Sequence, residues 1–203
     1  TKSVRFGLSV FREPNDASGV DPNGGYVEVA INDNTPAHAS DLEASVANTQ
    51  ADSWTPLAET LFQSYTYFMS RDLTELIDGV DPTATFPVYQ YNTQPSGGGG
   101  TFQTNLAKVI DSPVEYSCQK NFIIVITDGE PTRDDFDQDP ATTSIGFSQY
   151  GKLIGDFNPD GETEVPGTGD EQSLYLDDIA KYMHETDFRP DMDGDQTLDI
   201  YTT

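Results

Sequence analysis

Three short stretches carry the residues able to do chemistry. In "VITDGEPT" (125–132), an apolar run ends in Asp128, followed by Gly129 and Glu130. A carboxylate at a strand end, beside a glycine that lets the backbone turn, can hold a hard cation through oxygen. The same residues also make an ordinary strand-ending Asp-Gly turn. In "DFNPDGETE" (156–164), the first six positions follow D-x-[DN]-x-[DN]-G. Asp156, Asn158 and Asp160 can place three oxygens on one ion, Gly161 makes the sharp turn, and Glu162 and Glu164 can add more. The twelfth position is Gly167, so the bidentate Glu of an EF-hand is missing. In "DMDGDQTLD" (191–199), Asp191, Asp193, Asp195 and Asp199 recur at similar spacing, with the glycine too early for an EF-hand and Thr202 in the closing position. Ca²⁺ suits both runs, because it accepts irregular shells of roughly 6–8 oxygens. The competing reading of each is a solvated acidic turn.

Charge sharpens the question. The 203 residues hold 10 basic and 35 acidic side chains, a net charge of −25. Residues 128–199 alone carry 20 acids and 4 bases, so −16 of that charge lies in about a third of the chain. Such a surface repels phosphates and makes nucleic acid a poor partner. Crowded carboxylates also repel one another, which a divalent ion relieves. No apolar run approaches the ~20 residues of a membrane span. The first residue is Thr1 and there is no signal peptide, which reads as a processed or trimmed piece.

Other reactive residues lack context. Cys118 is the single cysteine, read as a buried thiol or as half of a bridge to another part. His38 and His184 have no zinc spacing, and His184 reads as a packing or surface residue. "SGGGGT" (96–101) has neither the Lys nor the strand of a phosphate loop. No nucleophile elbow is present, so an enzyme has almost no support.

The elements that must position these residues follow from periodicity. "SVRFGLSVF" (3–11) and "YVEVAI" (26–31) alternate apolar and polar residues, predicting two strands of a long-looped hairpin. Residues 39–50 predict a short helix. "TPLAETLFQSYTYFMS" (55–70) is the clearest helix, with Thr55 as cap, Pro56 in the first turn, and Leu57, Leu61, Tyr65 and Phe68 on one face. Tyr65, Tyr67 and Phe68 read mostly as core. Residues 79–100 predict a loop, 105–110 a helical turn, and 129–172 a long acidic loop. "NFIIVITD" (121–128) is continuously apolar, which predicts a strand buried on both faces of a parallel sheet. "SLYLDDIAKYMHET" (173–186) predicts an amphipathic helix, with Leu174, Ile179, Tyr182 and Met183 near one face; "LDIYTT" (198–203) predicts a strand. The order predicts one α/β domain.

"WTPLAETLF" (54–62) resembles the threonine loop and following helix of von Willebrand factor A domains, and "IIVITDGEPT" (123–132) resembles their fourth strand and aspartate loop. The resemblance implies a Rossmann-like, mostly parallel sheet flanked by helices over residues 1–203, with an acidic insert at about 129–172. It implies a metal-ion-dependent adhesion site in which Thr55 and Asp128 hold Mg²⁺, directly or through water. The family's first-strand motif D-x-S-x-S is absent, so the first strand is expected to be missing from this sequence, leaving the fold incomplete at its N-terminus. "SCQKNFIIVITDGEPT" (117–132), "YLDDIAKYMHETDFRPD" (175–191) and "LDIYTT" resemble the A-type domain of the PilC/PilY proteins of bacterial type IV pili. That closer resemblance implies an extracellular place at the pilus tip or outer cell surface and a non-enzymatic role in adhesion and biogenesis, with calcium on the acidic loops. It implies minor pilins or other tip components as partners, and a host or surface ligand bearing an acidic group. The alternative is a scaffold domain packing on minor pilins with no working adhesion site.

Overall fold

A computed structural model of the chain describes residues 4–11, 24–49, 55–70, 91–92, 106–107, 111–127, 129, 131–132, 134, 154–161 and 174–203. Asp128, Glu130, Glu162 and Glu164, and most of the loops expected at 79–100 and 129–172, lie outside the described residues.

The alternating N-terminal segments form strands β1 (Arg5–Phe11) and β2 (Gly25–Asp33), paired antiparallel from Arg5↔Asp33 to Phe11↔Gly25. The hairpin is as predicted, with register shifts on either side of Leu8. Gly7 lies where β1 presses on β2: a Cβ there would meet the Val29 carbonyl and Ile31 at under 3 Å. Two short strands extend the sheet, β3 (Tyr91–Asn92) parallel to β2 and β4 (Leu106–Ala107) antiparallel to β3. A strand therefore stands at 106–107 where a helical turn was expected.

Helix α1 (Pro36–Asn48) begins at Thr35, whose side chain accepts from the His38 amide. It docks on β2 through Ser45 Oγ, which donates to Glu28 at 3.2 Å, and on β1 through His38 Nε2, 2.8 Å from the Phe6 carbonyl. Helix α2 (Leu57–Met69) is almost wholly buried, which is why apolar residues occur on more than one of its faces.

Strand β5 (Asn121–Val125) pairs in parallel with β6 (Leu198–Thr202), and α3 (Leu176–Glu185) lies between them in sequence and packs on β6 and α2. The main core gathers Ala58, Leu61, Phe62 and Tyr65 of α2, Ile179 and Met183 of α3, Phe188 and Leu198. Tyr65 is the hinge of this packing, with ring centroids 5.9 Å from Phe62, 5.7 Å from Tyr182 and 6.0 Å from Phe188. Arg5 reaches from β1 to the turn before β5, donating to the Pro113 carbonyl at 3.0 Å and pairing with Glu115.

The result is a mixed α/β domain with small sheets and three helices among its described residues. Two expectations change. Among the described residues the pairings are mixed rather than mostly parallel: β1–β2 and β3–β4 run antiparallel, β2–β3 and β5–β6 parallel. β5 is not buried on both faces: Phe122 and Ile124 are 52% and 63% exposed, and Tyr201 of β6 lies beside them. A continuous apolar run is necessary for a central strand but does not supply the layer that covers its second face.

Candidate functional site

Thr55 immediately precedes α2, and its surroundings differ from a simple cap. The helix is entered through Pro56 with no side-chain cap of its own. The Thr55 hydroxyl lies instead 2.9 Å from that of Thr132, and the Thr55 amide donates to Thr132 Oγ1 at 3.1 Å. The Thr132 amide in turn donates to the Thr55 carbonyl at 3.1 Å. Two residues on, Asp134 supplies the missing cap: its carboxylate accepts from the Ala58 amide at 3.0 Å and the Glu59 amide at 3.2 Å. Asp134 is 1% exposed and sits where the helix dipole favours a negative charge. The threonine loop and the segment after Asp128 are thus fastened by a hydroxyl pair and a carboxylate cap, although they are over 70 residues apart in sequence.

The donor set within the described residues here is two neutral hydroxyls, one at Thr55 and one at Thr132. Two neutral hydroxyls are a poor set for Mg²⁺, which is usually held through one or two carboxylates. Among the described residues, no group of three or more His, Cys, Asp or Glu side chains is gathered so as to hold a metal ion.

The loop at 156–161 folds onto α3. Gly161 has φ +82°, the left-handed turn its type allows, and its amide donates to Asp156 Oδ2 at 3.0 Å. The Asn158 amide donates to Asp178 Oδ1 at 2.8 Å. Its side-chain Nδ2 donates to Asp160 Oδ2 at 2.7 Å and also to Asp177 Oδ2. The Phe157 ring stands edge-on to Tyr182 at 5.4 Å, with Lys181 Nζ 5.5 Å above that ring and 3.4 Å from the Phe157 carbonyl. Asp156, Asn158 and Asp160 share the turn through these local hydrogen bonds, without gathering three acids around one point. Asp177 and Asp178 join them from the first turn of α3, which the sequence reading missed. Their only signal was a pair of acids opening an amphipathic helix.

Burial pushes the Asp178 carboxyl above its ordinary value. The amides of Asn158 and Phe157 pull it back, and the charges of Asp177 and Asp156 push it further up. With the folded value raised, the contribution of this group is fully present below the unfolded value of about 3.9 and is lost as pH rises through the folded one. In cation-free buffer, Asp178→Asn is therefore expected to melt above the wild type at pH 7, with the gap closing toward pH 4. Melting curves of both proteins across that range measure it.

The second acidic run is not gathered. Arg189 donates to both oxygens of Asp191 at 2.7 Å, and Asp199 leaves along β6 to meet His184 Nδ1 at 2.9 Å. Asp193 and Asp195 are exposed. The turn is instead a structural clasp: buried Gln196 donates to the Ser117 carbonyl at 2.9 Å, while Gly194, at φ +76°, lets the chain reverse. Cys118 is exposed, not buried, because it lies in the turn before β5 rather than under it.

Compared with known proteins, the chain matches no family model, no curated protein and no solved structure. What fold and site define directly is a mixed α/β domain with an acidic loop clamped to a helix. No helix among the described residues is long and apolar enough to cross a membrane.

Proposed function

We propose that this chain is a non-enzymatic adhesion module of the von Willebrand factor A type, working at the tip of a bacterial type IV pilus. The observation that carries the reading is the clasp between Thr55 and Thr132. It draws the segment following Asp128 to the threonine loop, the convergence that a metal-dependent adhesion site requires. Thr55 and Asp128 would hold Mg²⁺, which would offer an open coordination position to an acidic group of a surface ligand. No D-x-S-x-S occurs in the 203 residues, so the reading requires the remaining ligands from outside them. Calcium on the 156–160 loop would stiffen the acidic region.

Asp128→Ala in the full-length protein is expected to abolish metal-dependent binding of cells or purified protein to the surface ligand, with folding unchanged. Wild-type binding by that variant overturns the reading.

The second reading is a scaffold that packs on minor pilins. The exposed apolar side chains of Phe122, Ile124, Ile126 and Tyr201 favour it, since a contiguous patch of this kind marks a contact surface. Under that reading, Asp128→Ala leaves assembly and adhesion intact while Ile124→Lys disrupts assembly.

A further inference from the structure

We propose that the outer face of the β5–β6 pair docks an amphipathic α-helix of another protein, one whose apolar stripe is bordered by Lys and Arg. The inference rests on the scaffold reading above and gives that partner its chemistry.

The first observation is the shape of the face. On the inner side, Ile123, Val125, Leu198 and Ile200 belong to the main core. On the outer side, Phe122 and Ile124 follow one another along β5, and Ile126, 77% exposed, continues the row just beyond it. Tyr201 stands opposite Ile124 in the register, its ring centroid 6.3 Å from that of Phe122. Parallel strands are ordinarily covered by helices on both faces. Among the described residues, α3 covers one face of this pair and the other is open. From Phe122 to Ile126 the row runs ~13 Å at ~3.3 Å per residue. A helix rising ~1.5 Å per residue crosses that length in about nine residues. Apolar side chains at i, i+3 or i+4, and i+7 of a single helix therefore match the row.

The second observation is charge. The chain carries 35 acidic and 10 basic side chains, and acids border this face. Asp199 stands opposite Phe122 in the register. The bond from Gln196 Nε2 to the Ser117 carbonyl draws the turn holding exposed Asp193 and Asp195 to the segment that leads into β5. Lys120 is the base beside the strand. Such a border attracts Lys and Arg and rejects an acidic partner. Two copies of this chain, each at −25, repel one another, which disfavours self-pairing through the face. An anionic bilayer is repelled for the same reason. The apolar centre then supplies affinity, and the charged border supplies selectivity and orientation.

The probe is a short synthetic helix of Leu and Lys, labelled and titrated with the 203-residue chain, alongside a Leu and Glu helix of equal length. The Lys helix is expected to bind and the Glu helix to fail. Ile124→Ser combined with Ile126→Ser leaves the charge unchanged and should weaken binding at least about tenfold, since burying one large apolar side chain is worth that much. Both side chains are exposed, so the variant should melt like the wild type; Phe122→Ser is the second variant. Equal binding by both serine variants would show that the acidic chain attracts any basic peptide, and would overturn the site. Equal binding of the Glu helix, or no binding of the Lys helix, would overturn the partner. Wild-type dimers in sedimentation that the serine variants lose would place a second copy on the face instead. Loss of assembly in Ile124→Lys without binding of the Lys helix would remove this inference and keep the scaffold reading.

Discussion

Tyr65→Ala is expected to destabilise the domain by about 3–5 kcal/mol, the range for truncating a large buried aromatic. Tyr65 is 2% exposed and touches three rings, one on its own helix, one on α3 and one in the segment leading to β6. Tilted and edge-on contacts of this kind add to the burial itself. The cavity left by alanine would open between α2 and α3, and neither helix can close it without losing its contact with a sheet. Urea denaturation measures the change as a lower midpoint at unchanged slope. Tyr65→Phe retains the rings and should lose no more than about 1.5 kcal/mol, the scale of one hydrogen bond. A Tyr65→Ala variant within about 1 kcal/mol of wild type would show that α2 and α3 are not packed as described.

Asp134→Ala is expected to cost about 1–3 kcal/mol, because the cap consists of its bonds to the Ala58 and Glu59 amides and their loss leaves buried donors without an acceptor. For a chain of this size, that is a fall in Tm of several degrees, at about 2–4 °C per kcal/mol. Asp134→Asn keeps one acceptor oxygen and should recover part of the loss. The effect should also reach Thr55, because the same short segment carries Thr132 and Asp134. Hydrogen exchange at the first turn of α2 is expected to rise in Asp134→Ala. If only the 131–134 segment exchanged faster, the cap would be a passive contact.

These expectations show how unevenly the chain could be read. The hairpin strands, α2 and α3 were legible because each repeats its apolar residues at the period of its own geometry, and β5 because its apolar run is unbroken. Residues 106–107 were misjudged because two residues hold no period, and pairing with β3 decided their state. The loop at 156–161 was legible down to its glycine, since D-x-[DN]-x-[DN]-G encodes a local turn whose hydrogen bonds close within six residues.

What only the tertiary structure decided are pairings across long separations. Nothing local in "GEPTRDD" marks Asp134 as the cap of a helix that begins at Leu57, nor Thr132 as the partner of Thr55. Asp177 and Asp178 were visible as helix-opening acids, and their closeness to Asn158 emerged only when α3 folded beneath the loop. Asp191, Asp193, Asp195 and Asp199 show the converse: regular spacing brought no convergence, because Arg189 claimed the first and strand β6 carried off the last. Residue types and intervals set what each segment can form by itself, since those preferences act over a turn or a pleat. Which carboxylates meet depends on how buried faces of distant elements fit together, and that is settled by the core they share.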